Sequence, residues 1–139
     1  MPVDLLRVTA DDIAMFDRIA DEVFDEPIEP ERLRNYLAAP GHLMILAIDD
    51  GVVVGQCAAV IHRHPDKVTE LYIDELGTAG SHRRRGIARS MIDAMFDWGR
   101  QLGCTESWLG TELDNTAANA LYRSIPGRFD SMAYYEFEL

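Results

Sequence analysis

The sequence predicts a mixed α+β domain built on one sheet, and three observations support this fold class. A hairpin pattern lies near the middle of the chain, strand and helix patterns alternate after it, and no repeat interrupts them. With 139 residues and 47% hydrophobic composition, the chain has the length of one domain and can bury a core without disulfides. We therefore expect a single domain over residues 1–139.

Before the hairpin, the patterns predict one strand and two helices. Residues 5–8 form a short apolar run, and Thr9 is expected to cap a helix over Asp11–Val23, whose apolar positions recur at helical spacing. Two prolines end this pattern in an acidic loop. Glu31–Ala39 predicts the second helix, which ends before a Pro-Gly pair.

The hairpin is the clearest local pattern. Runs rich in β-branched residues, Leu43–Ile48 and Val52–Ile61, flank an Asp-Gly turn at residues 49–51. A third long strand is expected over Val68–Thr78, followed by a helix over Ile87–Leu102. The remaining patterns predict a strand at 108–113, a short helix at 116–124 and a final strand at 134–139.

The composition argues against two classes of partner. A formal charge of −11 and a pI of about 4.6 oppose nucleic acid, whose binding depends on a basic surface. No apolar run is long enough to cross a bilayer, and Met1–Asp4 lacks the basic start of a secretion signal, so we expect no membrane partner and a cytoplasmic location. An acidic surface attracts a polycationic substrate, although ordinary acidic solubility explains the charge equally well.

Neither the cysteines nor the histidines form a metal-binding pattern. Cys57 and Cys104 lie in apolar, strand-like settings without a Cys-x-x-Cys spacing, so we expect buried free thiols. We interpret His62, His64 and His82 as polar loop residues, because no acidic or cysteine partner is fixed near them. The sequence therefore predicts no disulfide and no metal site.

One turn carries the strongest functional pattern. After the third long strand, the basic run Arg83-Arg84-Arg85 is followed by Gly86 and then by Ala88, at the start of a helical pattern. Gly86 supplies a turn residue without a Cβ, and the small Ala88 lets the free N–H groups of the first helical turn face one anion. The pattern predicts a phosphate-binding helix N-terminus with positive charge at its rim.

Two motifs occur in a fixed order around this turn. Arg83-x-x-Gly86-x-Ala88 is followed, one helix and one strand later, by Asn115-x-x-Ala118-x-x-Leu121-Tyr122. Together they resemble the two motifs of the GNAT family of N-acetyltransferases. The resemblance implies acetyl-CoA as the acetyl donor, a GNAT fold with a mostly antiparallel twisted sheet of about six to seven strands flanked by about four helices, and a homodimer.

The resemblance assigns a set of residues to coenzyme binding. They come from the end of the third long strand, the basic turn and the second motif: Leu76, Gly77, Thr78, Arg83, Arg84, Arg85, Gly86, Ile87, Ala88, Arg89, Asn115, Ala118 and Tyr122.

Acetyl transfer to an amine needs a base that removes a proton from the ammonium and an acid that protonates the departing thiolate. By resemblance, Tyr122 is the acid. The same resemblance makes Glu75 the first choice for the base, because it matches an acid on the same strand of similar enzymes. Asp74 is the second choice, because it is adjacent and points to the opposite face of the strand. Only one of these two carboxylates is expected to face the substrate.

Three further acids, Glu112, Asp25 and Glu26, are expected to bind a cationic substrate, together with Glu75 and Asp74. Purely structural interpretations stay open at each position. The helical spacing around Tyr122 fits core packing, Asn115 fits a helix cap, and the strand acids fit a solvated surface.

Within the family, three segments resemble the type I aminoglycoside 3-N-acetyltransferases: Tyr72–Leu76, His82–Ala88 and the aromatic-acidic ending Tyr134–Leu139. This implies an aminoglycoside as the leading primary-amine substrate, acetylated at the 3-amino group, and a role in antibiotic resistance. Two alternatives remain open. One is acetylation of another amine (a polyamine, a small metabolite or a protein amino group), and the other is a coenzyme-binding module without catalysis.

Overall fold

The computed structural model describes residues 3–139. Met1 and Pro2, which entered only the argument against a secretion signal, lie outside the described residues. The chain divides into two compact units, one ending at Leu109 and the other running from Gly110 to Leu139. Over residues 3–139, none of the helices combines the length and apolar character needed to span a bilayer.

The first unit contains one five-stranded sheet in the order β1-β2-β3-β4-β5. The strands are β1 (Asp4–Arg7), β2 (His42–Asp49), β3 (Val52–His62), β4 (Glu70–Thr78) and β5 (Glu106–Trp108). Neighbours from β1 to β4 are antiparallel, and β5 is parallel to β4. The prediction of a mixed, mostly antiparallel sheet is confirmed, although among the described residues the sheet has five strands rather than six to seven.

Helices accompany the sheet in both units. The α-helices are α1 (Pro30–Ala38), α2 (Ile87–Gln101) and, in the second unit, α3 (Thr116–Arg123), and 3₁₀ segments cover Ala10–Asp17 and Gly80–His82. Helix α2 packs against β2, β3 and β4. Its apolar stripe, which includes Met91, Ile92 and Met95, is fully buried and supplies the core of the first unit together with the interior of β2 and β3.

The first predicted helix is shorter than expected and has 3₁₀ geometry. Thr9 caps it as predicted, in a capping box with Asp12. The helix ends at Asp17 because the chain beyond it pairs with β3: the Val53 N–H donates to the Arg18 carbonyl at 2.8 Å, and the Ala20 N–H donates to the Val53 carbonyl at 2.9 Å. These bonds replace the helical bonds that the apolar spacing predicted.

Two strand predictions near the C-terminus are wrong. The strand predicted at 108–113 lies earlier in the chain: β5 covers Glu106–Trp108 and ends where the predicted strand begins. Residues 134–139 form no strand within the described part of the chain, and their large apolar side chains are exposed, including Tyr135 and Phe137. A strand needs a hydrogen-bonded neighbour, and no described segment pairs with these residues.

The buried free thiols are confirmed, since Cys57 and Cys104 are both buried and unlinked.

Candidate functional site

A β-bulge in β4 brings the two predicted catalytic carboxylates together. Glu75 is the register partner of Ala58, whereas Ile73 is the partner of Ala59, so Asp74 is an extra residue without a partner on β3. Both carboxylates raise the pKa of the Tyr36 hydroxyl, so both lie near that group. The bulge interrupts the strict alternation of side chains at Asp74, so alternation alone does not decide which of the two carboxylates faces the site.

The surroundings of this pair favour the neutral carboxyl form. Burial is the main cause that raises the pKa of Asp74, and His42 partly opposes it. Burial also raises the pKa of Glu75, and the negative charges of Asp74 and Asp25 add to this effect. A carboxylate with a raised pKa is a stronger base than an ordinary one.

Asp25 is thus close enough to act on the predicted base. It lies on the loop that precedes α1, as does the exposed Glu26. Gly77 fixes the start of this loop against β4: a Cβ placed on Gly77 would lie 2.1 Å from the carbonyl oxygen of Val23. Only glycine allows the two backbones to approach this closely.

Three residues near the carboxylates were not predicted from the sequence. The Tyr36 hydroxyl, on α1, donates to the Leu43 carbonyl at 3.0 Å, and burial together with the two acids raises its pKa strongly. Burial, with a further contribution from Asp74, raises the pKa of the Cys57 thiol to about 12. This thiol is therefore neutral and is no nucleophile at neutral pH. The His42 ring packs beside Tyr36 in a tilted arrangement, with ring centroids 5.2 Å apart. No sequence motif links these three positions, because they come from different elements.

The end of β4 has one unpaired edge. The pairing of β4 with β5 covers only Glu70, Leu71 and Tyr72, and β5 ends while β4 continues to Thr78. On its other edge, Leu76, Gly77 and Thr78 pair with β3. Within the described residues, the backbone groups of Leu76, Gly77 and Thr78 that face the β5 side are therefore not used in strand pairing, and they are available to a bound coenzyme.

Helix α2 begins with an uncapped N-terminus. Its N-cap, Gly86, adopts the left-handed conformation (φ 76°) and provides no side-chain cap. A Cβ on Gly86 would find no atom within 4 Å, so the space beside this turn is open. Ile87 is buried and anchors the helix, and Ala88 is half-buried. An open helix N-terminus without a cap fits an anionic group such as a diphosphate.

The arginines of this turn differ in their partners. Arg83 donates to Glu22 at 2.6 Å, whereas Arg84 and Arg85 form no ion pair within residues 3–139. Arg84 also has a left-handed backbone (φ 62°), which is uncommon for a residue with a Cβ. Arg89 donates to Asp93 one turn along α2. Arg84 and Arg85 are therefore the side chains that can turn toward a bound anion without breaking an ion pair.

A second ion pair fixes the segment before the arginines. His82 Nε2 lies 2.7 Å from Asp49 Oδ2, and His82 Nδ1 lies 2.7 Å from Ser81 Oγ. Asp49 ends β2, so this contact ties the turn to the sheet. His82, interpreted from the sequence as a polar loop residue, thus positions the turn through its contact with Asp49.

The second unit holds the remaining predicted residues on and before α3. Asn115 is the N-cap of α3, and its side-chain oxygen accepts the Ala118 N–H at 3.2 Å, so the helix-cap interpretation is confirmed. Tyr122 lies half-buried on the same helix. Glu112 is exposed, and its carbonyl accepts a bond from the Asn119 side chain at 2.9 Å.

The chain belongs to the acetyltransferase (GNAT) family, which it matches over residues 11–125. The family match confirms the prediction that the chain is a GNAT-family protein. It is similar to the aminoglycoside N(6')-acetyltransferase type 1 of Salmonella typhimurium (strain LT2), with 29% identity over 85 residues. That match covers 58% of this chain and 58% of the relative, so it spans less than two thirds of the relative's length.

Solved structures share the fold. AAC(6')-Iy in complex with the bisubstrate analogue CoA-S-monomethyl-acetylneamine aligns with a TM-score of 0.82 at 20% identity and covers 100% of both chains. The aminoglycoside acetyltransferase meta-AAC0020 from a soil metagenomic sample, in complex with trehalose, aligns with a TM-score of 0.83 at 19% identity, covering 99% of this chain and 96% of that one. A ribosomal-protein-alanine N-acetyltransferase from Brucella melitensis aligns with a TM-score of 0.77 at 19% identity, covering 99% and 100%.

One prediction needs correction at this point. The relatives whose names state a position are N(6')-acetyltransferases, and the 3-N type expected from the sequence is not supported. The resemblance of Tyr72–Leu76 and the basic turn therefore identifies the family but not the amino group that is acetylated.

Proposed function

We propose that this protein transfers the acetyl group of acetyl-CoA directly to an amine of an aminoglycoside, at the 6'-amino group. The observation that carries this proposal is the bulge of β4, where Asp74 and Glu75, both of which keep contact with solvent, have raised pKa values and the charge of Asp25 acts on Glu75. Such a group of acids both attracts a polycationic amine and supplies a base of raised pKa. The position on the sugar follows from the names of the N(6') relatives.

In this proposal the acidic residues have different roles toward the substrate. Glu75 accepts a proton from the ammonium group, directly or through water, so that the amine becomes a nucleophile. Asp74 and Asp25 hold the remaining positive charges, and the exposed Glu26 supplies a further carboxylate on the same loop as Asp25. Glu112, which is exposed in the second unit, stays a candidate for substrate binding from the sequence. Tyr122 is assigned the proton donor for the leaving thiolate, on the strength of its motif.

The residues present fit an acetyl-CoA molecule. The open, uncapped start of α2 at Gly86 suits the diphosphate, and Arg84 and Arg85 have no ion pair to break elsewhere in the described chain. The unpaired edge of β4 from Leu76 to Thr78 offers backbone groups to the pantetheine arm. When bound, acetyl-CoA supplies a thioester, which is an activated acyl group.

Two other functions remain as alternatives. The fold is shared with the Brucella ribosomal-protein-alanine N-acetyltransferase, at 19% identity, and with a transcriptional regulator from Bacillus halodurans, at 15% identity. The name of the first corresponds to the alternative of a protein amino group as the acceptor, and the name of the second corresponds to the alternative of a regulatory module without catalysis. The raised pKa values of Asp74 and Glu75 favour catalysis, because a binding module has no use for a base.

Release of free thiol from acetyl-CoA separates these functions. The purified protein is tested with aminoglycosides, polyamines, small amine metabolites and peptides with a free N-terminus. We expect turnover with aminoglycosides and much weaker turnover with the other classes. Strong turnover confined to another class of amine would support an acetyltransferase activity and would rule out aminoglycosides as its substrates. Tight coenzyme binding without turnover on any amine would favour the binding module.

We also propose a homodimer. The C-terminal segment, residues 129–139, exposes six large apolar side chains: Phe129, Met132, Tyr134, Tyr135, Phe137 and Leu139. A run of exposed apolar groups of this size is a surface suited to association. Light scattering after size exclusion is expected to give twice the monomer mass of 15.6 kDa, and a chain shortened after Asp130 is expected to give the monomer mass. A monomeric full chain would contradict the proposal.

A further inference from the structure

The connection between β3 and β4 gathers three side chains that bind metals in other proteins. His62 is the last residue of β3 and Glu70 is the first of β4, and the two are register partners on adjacent strands. Their side chains therefore lie on the same face of the sheet. His64, in the connecting loop, places its Nε2 in contact with Glu70 Oε1. The argument from sequence that no acidic partner lies near these histidines is wrong, because Glu70 is supplied by the next strand.

The geometry of the three groups is compact. The rings of His62 and His64 have centroids 4.2 Å apart. One ligand atom from each of His62, His64 and Glu70 lies within 4.8 Å of the other two. Ligands of a tetrahedral zinc ion lie about 3.3 Å from one another, given metal-ligand distances of about 2.0–2.1 Å. Small side-chain rotations at the exposed His62 are enough to close this gap.

We propose that His62, His64 and Glu70 form a binding site for a divalent cation of the zinc type. Two imidazole nitrogens and one carboxylate oxygen suit Zn²⁺, Co²⁺, Ni²⁺ or Cu²⁺, whereas Ca²⁺ and Mg²⁺ require more oxygen ligands. A fourth position is open to water or to Glu106, which is the register partner of Glu70 on β5. This site is independent of the proposed acetyl transfer and needs no coenzyme.

The competing interpretation is an ordinary ion pair between His64 and Glu70. His62 distinguishes these two interpretations, because an ion pair between His64 and Glu70 does not need His62, whereas a three-ligand metal site does. Both groups of that pair are largely shielded from solvent, with side-chain exposures of 16% and 21%, while His62 is exposed. A bound cation would fasten the end of β3 to the start of β4 and order the loop between them.

A spectroscopic reporter lies on the same face of the sheet. Tyr72 and Trp108 are the second register pair after Glu70 and Glu106, two residues along each strand, and their rings stack with centroids 4.2 Å apart. Bound Cu²⁺ is therefore expected to quench the fluorescence of Trp108. The chain has one other tryptophan, Trp98 on α2, so the variant Trp108→Phe assigns the signal.

The test uses the full chain without a histidine tag, treated with a chelator and then titrated with Zn²⁺ in a calorimeter. We expect one Zn²⁺ per chain and a loss of affinity of at least about tenfold in each of His62→Ala, His64→Ala and Glu70→Gln. The matched control is His42→Ala, since His42 is another exposed histidine outside the cluster, and its affinity is expected to be unchanged. Zn²⁺ at about one hundred times its Kd is expected to raise the Tm of the wild-type chain by several degrees.

Several outcomes would overturn the proposal. They are the absence of stoichiometric Zn²⁺ binding, binding that His62→Ala leaves unchanged, and equal affinity for Ca²⁺. Each variant is first checked for a cooperative thermal transition, and Cu²⁺ quenching of Trp108 in the wild-type chain provides a second readout that needs no substitution in the cluster.

Discussion

Replacing Gly77 by alanine tests the contact that joins the acidic loop to β4. A Cβ at this position would lie 2.1 Å from the carbonyl oxygen and 3.1 Å from the carbonyl carbon of Val23. Both atoms belong to the backbone, so no side chain can rotate away. Val23 is 2% exposed, and its carbonyl also accepts a bond from the Gln56 side chain at 3.3 Å. The two segments must therefore separate by about 1 Å to restore ordinary contact distances.

We expect Gly77→Ala to lower the free energy of unfolding by about 3 kcal/mol, the upper range for overpacking in a buried site. For a chain of this size, that corresponds to a fall in Tm of about 10 °C. Urea unfolding followed by circular dichroism measures it. Gly110→Ala is the matched control, because a Cβ there meets no atom within 4 Å, and we expect a change within about 0.5 kcal/mol. Wild-type stability in Gly77→Ala would refute the reasoning.

Three further predictions concern the site. The pKa of Asp74 is raised in the folded state, so the folded chain loses stability as pH rises from the ordinary carboxyl pKa through the raised one, and this loss persists at neutral pH. We therefore expect Asp74→Asn to raise Tm, relative to the wild type, by more at pH 7 than at pH 4. An equal rise at both pH values would contradict the raised pKa of Asp74. Replacing Arg84 and Arg85 together by glutamine should weaken coenzyme A binding by about tenfold in calorimetry without lowering Tm, since neither forms an ion pair in the described chain; unchanged affinity would remove them from the anion site. Tyr122→Phe should slow turnover by about a hundredfold while leaving coenzyme affinity within about twofold, and unchanged turnover would end its role as the acid.

Much of the sheet is predictable because its patterns are local. The runs on either side of the Asp-Gly turn become β2 and β3, and the helical spacing after Gly86 becomes α2 with bounds of Ile87–Gln101, one residue shorter than predicted. In each case the apolar period and the turn residues agree with the final environment.

The failed predictions depend on contacts between distant residues. The helix predicted over residues 11–23 ends early because Arg18 and Ala20 form backbone hydrogen bonds with Val53, which lies more than thirty positions further along the sequence. The ending at 134–139 alternates like a strand, yet it forms no strand within the described residues. Periodicity indicates what a segment can form, and pairing decides what it does form.

The loop before α2 was easier to predict from the sequence than the arrangement of the acidic residues on β4. The motif from Arg83 to Ala88 identifies the uncapped start of α2, because glycine at a helix start is a local requirement. The pairing register creates the bulge at Asp74, and a register is not visible in one strand alone. For the same reason, the sequence pointed to His62 and His64 without their neighbour Glu70.

The most direct test of the central claim compares two aminoglycosides that differ at one position. Neamine carries an amino group at C6', and paromamine carries a hydroxyl group there, while their other amines are the same. Thiol release from acetyl-CoA is measured for the purified protein with each compound. We expect turnover with neamine, a product acetylated at the 6'-nitrogen, and no release above background with paromamine. Equal rates with both, or none with neamine, would contradict it.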